Sequence, residues 1–467
     1  MPVNSVFFGN NFSQTFSKLF SVVLKFKMSL LFVLFITKQE AVMAQNELSE
    51  KQLNKEISSI SGTSEHAIRF KAGGFIQPWL SYAQLNPGSL NKEEKVLEES
   101  YNVSIRRMRV AVTMTYKQRW NLFVSAGFNN LNNTGNPQPS PKILDLYTTY
   151  SFADFLTLGA GRSPWDGLSR YTTPSTSTML FTDLPLIAQP TLNITDDTIR
   201  NLSVFLYGNI SNWNYRLVIK KPYDFEDMGL NLVIPDDGTS QFSNHFSYPE
   251  FTGYLKYDFL EKELLKKPSF AGTYLGKKQI LSLGWGAKYR QNTFASQADS
   301  GLQYHDMNLW AVDIFFESPL LKYTQQAITA YAAYYNYDMG PDYLRSVGVN
   351  NPAYGWENTM NILNGKGNSF PVLGSGHSTL LQLGYLFNNL GKRDQWGALQ
   401  FYTGGQFSNF DALADTTISF NAGLNWYLDN QRTKVSLDLQ NRPLYSAQTG
   451  ATSNRRNMIV LQYQYQL

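Results

Sequence analysis

Arg455-Arg-Asn-Met-Ile-Val-Leu-Gln-Tyr-Gln-Tyr-Gln-Leu467 closes the chain, and its alternation decides the fold. Ile459, Leu461, Tyr463, Tyr465 and Leu467 share one face of a strand, while Met458, Val460, Gln462, Gln464 and Gln466 share the other. The apolar face carries two aromatics and continues to the final residue. A soluble protein seldom ends on a strand whose apolar side has nothing after it to pack against. The closing strand of an outer-membrane barrel does so routinely, with lipid on one side and a wet lumen on the other.

Working back from this strand, runs of alternating polarity recur from Ala67 onward: 67–82, 103–117, 119–128, 142–152, 155–162, 198–208, 212–221, 247–260, 279–292, 307–318, 324–338, 377–388, 395–408, 416–427, 432–441 and 455–467. Most are close to the ~9–11 residues of a tilted spanning strand. About sixteen such runs, an even number, predict an all-β protein: a closed antiparallel transmembrane β-barrel with both termini in the periplasm. The connections alternate between short ones, such as 117–119 and 153–154, and long ones rich in Gly, Pro, Asn and Ser, such as 163–197, 222–246 and 339–376. Short periplasmic turns and long external loops produce this asymmetry. Segment 261–278 breaks the pattern, being long on the short-turn side; either it is a periplasmic insertion or the strand count slips there.

The other end of the chain points to export. Lys25 and Lys27 precede an uncharged apolar run, Met28 to Thr37, and Val42-Met43-Ala44 offers small residues before Gln45. Residues 1–44 therefore read as a secretory signal peptide, with Met28 as an alternative start. Residues 45–66 read as a polar periplasmic segment and 67–467 as the barrel. The apolar run is about half the ~20 residues that a spanning helix needs. The chain has no cysteine, so a disulfide framework and thiolate metal sites are excluded. Aromatics make up 15% and charged residues 16%, and rings of this kind suit the headgroup level of a membrane. A net charge of +4 over 467 residues is too small to indicate a nucleic-acid partner.

Parity assigns the faces. A charge pointing into lipid near midplane costs roughly 2–4 kcal/mol. Met108, Val110, Val112 and Met114 therefore face lipid and Arg107 and Arg109 face the lumen. By the same rule Arg216, Lys220, Lys288, Arg290, Lys434 and Arg442 point inward, as do the acids Asp145, Glu250, Asp258, Asp313, Glu317 and Asp438. The basic set is somewhat the larger, and rings of Arg and Lys favour anions. Segment 163–197, the third long loop, carries prolines, Trp165 and bulky apolar residues, so it is expected to fold inward and narrow the channel. Arg162 at its root and Arg170 within it complete the expected pore-lining set, opposed by Asp166, Asp183, Asp196 and Asp197.

Three stretches in order, Arg106-Arg-Met-Arg-Val-Ala-Val112, Lys142-Ile-Leu-Asp-Leu-Tyr-Thr-Thr-Tyr-Ser-Phe152 and Leu156-Thr-Leu-Gly-Ala-Gly-Arg-Ser-Pro164, resemble early strands of the phosphate-selective porin O and P family. Gly73-Gly-Phe-Ile-Gln-Pro-Trp79 resembles that family's opening strand. Asn364-Gly-Lys-Gly-Asn368, Leu381-Gln-Leu-Gly-Tyr385 and Asn441-Arg-Pro443 resemble its later half. The resemblance implies a sixteen-stranded porin, general or anion-preferring, often trimeric. Within it Arg162 matches a Lys/Arg position at the start of the inward loop, and Arg107 and Arg109 match an Arg-rich second strand. The loop is less basic than in strongly phosphate-selective members, and the final Leu467 departs from the commoner terminal Phe.

Enzyme signatures are poor. His66, His245, His305 and His377 are scattered, with no His-x-x-x-His spacing, and Gly374-Ser-Gly-His-Ser378 reads as a flexible strand start. No catalytic residue, metal or cofactor is expected. The sequence thus supports an exported Gram-negative outer-membrane channel for ions and small anionic or neutral solutes, surrounded by lipid. The alternative is a binding, adhesin or structural barrel with a blocked lumen.

Overall fold

The computed structural model describes residues 68–135, 139–222, 238–243, 247–320, 326–357, 363–388, 397–446 and 448–467. The expected signal peptide and the polar segment 45–66 lie outside them.

Sixteen long strands form one closed antiparallel transmembrane barrel. In chain order they are β1 (Ile68–Gln84), β2 (Glu99–Tyr116), β3 (Trp120–Leu131), β4 (Lys142–Ala153), β5 (Leu156–Ser163) and β6 (Asn201–Ile210). There follow β7 (Trp213–Lys221), β8 (Glu250–Asp258), β9 (Ile280–Ala298), β10 (Gly301–Pro319) and β11 (Ala327–Asp338). The last five are β12 (Gly376–Asn388), β13 (Ala398–Phe410), β14 (Thr417–Asp429), β15 (Thr433–Tyr445) and β16 (Thr452–Gln466). Each strand pairs with its sequence neighbours, and β1 pairs with both β2 and β16, so no edge is left open. The closing ladder sets Trp79 opposite Gln462 and Leu80 opposite Leu461.

The outer face follows the alternation that lipid demands. Leu217, Ile219, Leu283 and Trp285 are 44–55% exposed, whereas their neighbours Arg216, Lys220, Lys288 and Arg290 are buried inside. On β16, Gln462 and Gln464 point inward as read from the sequence. The inner face is not wet throughout, however: Met458 and Val460 pack against Trp79, Ala83 and Leu85.

The ends differ in the expected way, with short turns at 117–119, 154–155, 211–212 and 430–432. The exceptional segment is a real insertion at the short-turn end, joining β8 to β9 as 259–279. The strand count does not slip there. β8 stays in register with β7 on one side, Glu250 opposite Lys220, and with β9 on the other, Asp258 opposite Ser282.

Candidate functional site

Segment 164–200, between β5 and β6, enters the barrel and crosses it. Two short 3-10 turns stiffen it, Arg170–Thr172 and Leu186–Ala188. Its first anchor is Asp166, which accepts from Lys220 Nζ at 2.6 Å and Lys288 Nζ at 3.1 Å, on β7 and β9. Beside it the backbone lies directly on the wall. A β-carbon on Gly167 would stand 2.4 Å from Gly253 of β8, and one on Gly286 of β9 would stand 2.4 Å from the carbonyl oxygen of Leu168. Leu168 itself takes a φ of +123°, where a side chain is disfavoured.

The loop then runs on around the wall and across the lumen. The Arg170 amide donates to Asp313 on β10 at 2.6 Å. The carbonyls of Thr176 and Ser177 accept from Gln77 on β1 and Gln464 on β16. Leu180 O accepts from Asn425 on β14 at 2.8 Å, and Met179 O from Lys434 on β15 at 3.1 Å. Asp183 ends this crossing on β2, where Arg106 holds it through two bonds of 3.1 Å and Arg107 through a third. Burial alone would raise the Asp183 carboxyl, but the two guanidiniums outweigh it and hold it below its ordinary value.

The insertion 259–279 meets this loop from the other end of the barrel. Glu263 is buried and pairs with Arg170 at 2.6 Å and Lys256 at 2.8 Å, and it also accepts from the Tyr274 hydroxyl. The Glu263 carboxyl feels burial pushing it up, and the Arg170 and Lys256 charges take it far below its ordinary value. Pro268 O accepts from Thr173 and from Arg216, and Ser175 N donates to Phe270 O at 3.0 Å. Loop and insertion together fill the lumen beside β7–β11 and β14–β16.

What stays open is off-centre. A cavity of about 780 Å³ runs along the inner wall of β2–β6. It touches Asn129, Thr198 and Arg200 toward the long-loop end and Gln118, Asp154 and Gln466 at the short-turn end. Its cations are Lys71, Arg106, Arg107, Arg109, Arg200, Lys266 and Lys267; its acids are Asp145 and Asp154. Asp145 is engaged by Arg200 at 2.7 Å and by Ser125.

No protein-family profile matches the sequence, and none of the curated proteins matches it. Solved structures do. Pseudomonas putida OprB aligns over 86% of this chain and 94% of its own, at 8% identity and a TM-score of 0.54. The anion-selective porin from Comamonas acidovorans aligns over 86% and 100%, at 10% identity and 0.49. The outer-membrane channel DcaP of Acinetobacter baumannii aligns over 86% and 97%, at 13% identity and 0.48. The chain has the outer-membrane porin fold.

Within the porin fold the residues singled out from sequence divide into three groups. Arg109 lines the open cavity, and Arg107 borders it but is buried and paired with Asp183. Arg216, Lys220, Lys288, Arg290, Lys434 and Arg442 point inward but are buried. Lys220 and Lys288 bind Asp166, with Lys288 also 3.0 Å from Glu250. Lys434 binds a loop carbonyl, and Arg442 donates to Asn86 and Gln84. Arg170 is likewise sealed between loop and insertion. Arg162 departs from the expectation altogether. β5 keeps its alternation to the end, so Arg162 lies opposite Leu146 and Leu202, both exposed, and shares the outer face with Leu158. Its guanidinium donates to Leu144 O and to Asp197 at the rim.

Five cavity cations escaped the pore-lining set: Lys71, Arg106, Arg200, Lys266 and Lys267. Arg106 has outward parity, but the β2–β3 ladder is irregular beside it. Asn130, next in line, sits at φ +58° and accepts from Arg106. The double-lysine step before Pro268 was visible in sequence only as a long connection on the wrong side. Among the described residues no cluster of three or more metal-ligating side chains occurs.

Proposed function

We propose that this protein is a Gram-negative outer-membrane porin that passes ions and small hydrophilic solutes with a mild preference for anions. The observation that carries the reading is the cavity along β2–β6, bounded by residues from both ends of the strands and lined by more cations than acids. A narrow, low-dielectric passage with an excess of one charge raises the local concentration of the opposite ion. Arg109 is the residue at which that preference is set, since Arg200 is paired with Asp145. The guanidinium of Arg109 is fixed by the carbonyls of Met108 and Phe128, both at 2.7 Å, and no carboxylate pairs with it among the described residues.

The resemblance of the early strands to phosphate-selective porins supports phosphate among the preferred anions. Much of the lumen's basic charge is nonetheless neutralised: Asp166 takes Lys220 and Lys288, and Asp183 takes Arg106 and Arg107. The preference is therefore mild rather than exclusive. A homotrimer, with lipid around it, fits both the resemblance and the porin fold.

A second reading has one observation in its favour. Loop and insertion fill so much of the lumen that a binding or structural barrel with external loops as its working surface remains consistent with the packing. Reconstitution into planar bilayers separates the two. Discrete conductance steps with a zero-current potential on the anion side in a salt gradient are expected. A correctly assembled barrel that conducts nothing would leave the binding-surface reading.

A further inference from the structure

The insertion 259–279 does more than brace the loop, because one of its turns forms part of the passage wall. Residues 265–269 border the cavity at the short-turn end, together with Gln118, Asp154 and Gln466. The turn is held on both flanks. Asn209 donates to Leu265 O at 3.2 Å and accepts from Leu265 N at 2.8 Å, and Pro268 O is fixed by Arg216 and Thr173. Behind it, the buried charges of Glu263, Lys256, Asp258 and Arg170 lock the insertion to β8 and the loop. The lysines between these clamps are exposed and make no salt bridge among the described residues. Lys71 of β1 borders the same cavity and is likewise without one. Partial desolvation against the barrel wall and the charge of Lys71 lower the Lys267 ammonium although its side chain reaches solvent, so a nearby anion relieves a repulsion already present.

We propose that Lys266 and Lys267, presented by the insertion beside Lys71, form a second selectivity element at the inner mouth of the passage, acting on small inorganic anions that enter or leave from that side. This rests on the porin reading above. Among the described residues that line the cavity at this mouth, Asp154 is the one acid, and the balance is positive. The lysines are exposed, so their effect is that of a charged collar and not of a closed binding pocket. It acts within a Debye length, ~8 Å at physiological salt and ~3 Å at 1 M.

The test uses the full-length protein in planar bilayers. Replacing both lysines, K266E/K267E, should lower the chloride-to-potassium permeability ratio roughly threefold or more at low salt, and much less at 1 M. K95E, on an external connection, should leave the ratio unchanged. K266C should react with a negatively charged thiol reagent added on the short-turn side, and the reaction should alter conductance. If the unmodified protein prefers anions but K266E/K267E keeps that preference and K266C modification changes nothing, the collar is overturned and the porin reading stands. If the unmodified protein does not conduct, both fall. Should the double glutamate variant fail to assemble, the cysteine arm alone decides.

Discussion

Arg170 and Glu263 face each other in a two-point ion pair, with Nη1–Oε2 at 2.7 Å and Nη2–Oε1 at 2.6 Å, both side chains sealed from solvent. Arg170 descends with the loop from one end of the barrel, and Glu263 rises with the insertion from the other. Their bond ties the two inward segments into one body. E263Q should leave the Arg170 guanidinium buried without its counter-charge, a loss of about 3–5 kcal/mol from that junction. The expected outcome is a barrel that still shifts on heated gels but is cut by protease within 164–200 or 259–279. Protection equal to the parent would show that the pair is not what holds them.

Arg109 and Arg162 should behave oppositely. R109E reverses a charge on the open cavity and should move the zero-current potential toward cations, with roughly a threefold or larger change in permeability ratio. R162E alters a residue on the outer face at the rim and should leave that potential where it was. An equal response from both would mean that β5 is out of register by one.

Acid should release the loop only at low pH. Asp183 and Glu263 both have carboxyls held below their ordinary values of 3.8 and 4.5 by neighbouring cations. A carboxyl depressed in the folded state contributes its full stability above the unfolded value and loses it as pH falls through the folded one. Single-channel current should therefore stay quiet from neutral pH down to about 4.5, and flicker should appear only below the ordinary carboxyl range. Flicker that begins near neutral pH would point to a different anchor.

Gly286→Ala should push the loop off the wall. The added methyl would meet the Leu168 backbone at 2.4 Å, and backbone cannot rotate away as a side chain can. Overpacking of this kind costs about 1–3 kcal/mol. Barrel assembly should survive, while the spread of conductance levels should widen. A single level identical to that of the parent would show that the loop has room to move there.

The barrel was legible because lipid imposes a rule on every strand independently. Each of the sixteen runs read from alternation overlaps an observed strand, including β8 and β9 on either side of the segment that seemed to disturb the count. The filling of the lumen obeys no such local rule. Asp183 finds Arg107 by crossing the barrel, and nothing in the loop's period marks that partner. Parity gave inward direction for Lys220 and Lys288 correctly, but inward is not the same as wet. Whether a basic residue meets solute or a carboxylate depends on a loop whose path is set by contacts far apart in sequence. Arg106 shows the converse, since an irregular ladder beside it brings an outward position into the cavity.

The crossing loop also bears on the order in which the molecule can be built. Thr182 bonds Asp438 across 256 residues, and Ser177 bonds Gln464 across 287. Part of the loop's anchorage, at Asn425, Lys434, Asp438 and Gln464, therefore does not exist until β14–β16 have been made and delivered. Contacts of such long range carry a large loop-closure cost and form late. The cylinder must close around an interior that is still unfurnished, and the cavity along β2–β6 acquires its final shape only after the last strand has zipped against the first.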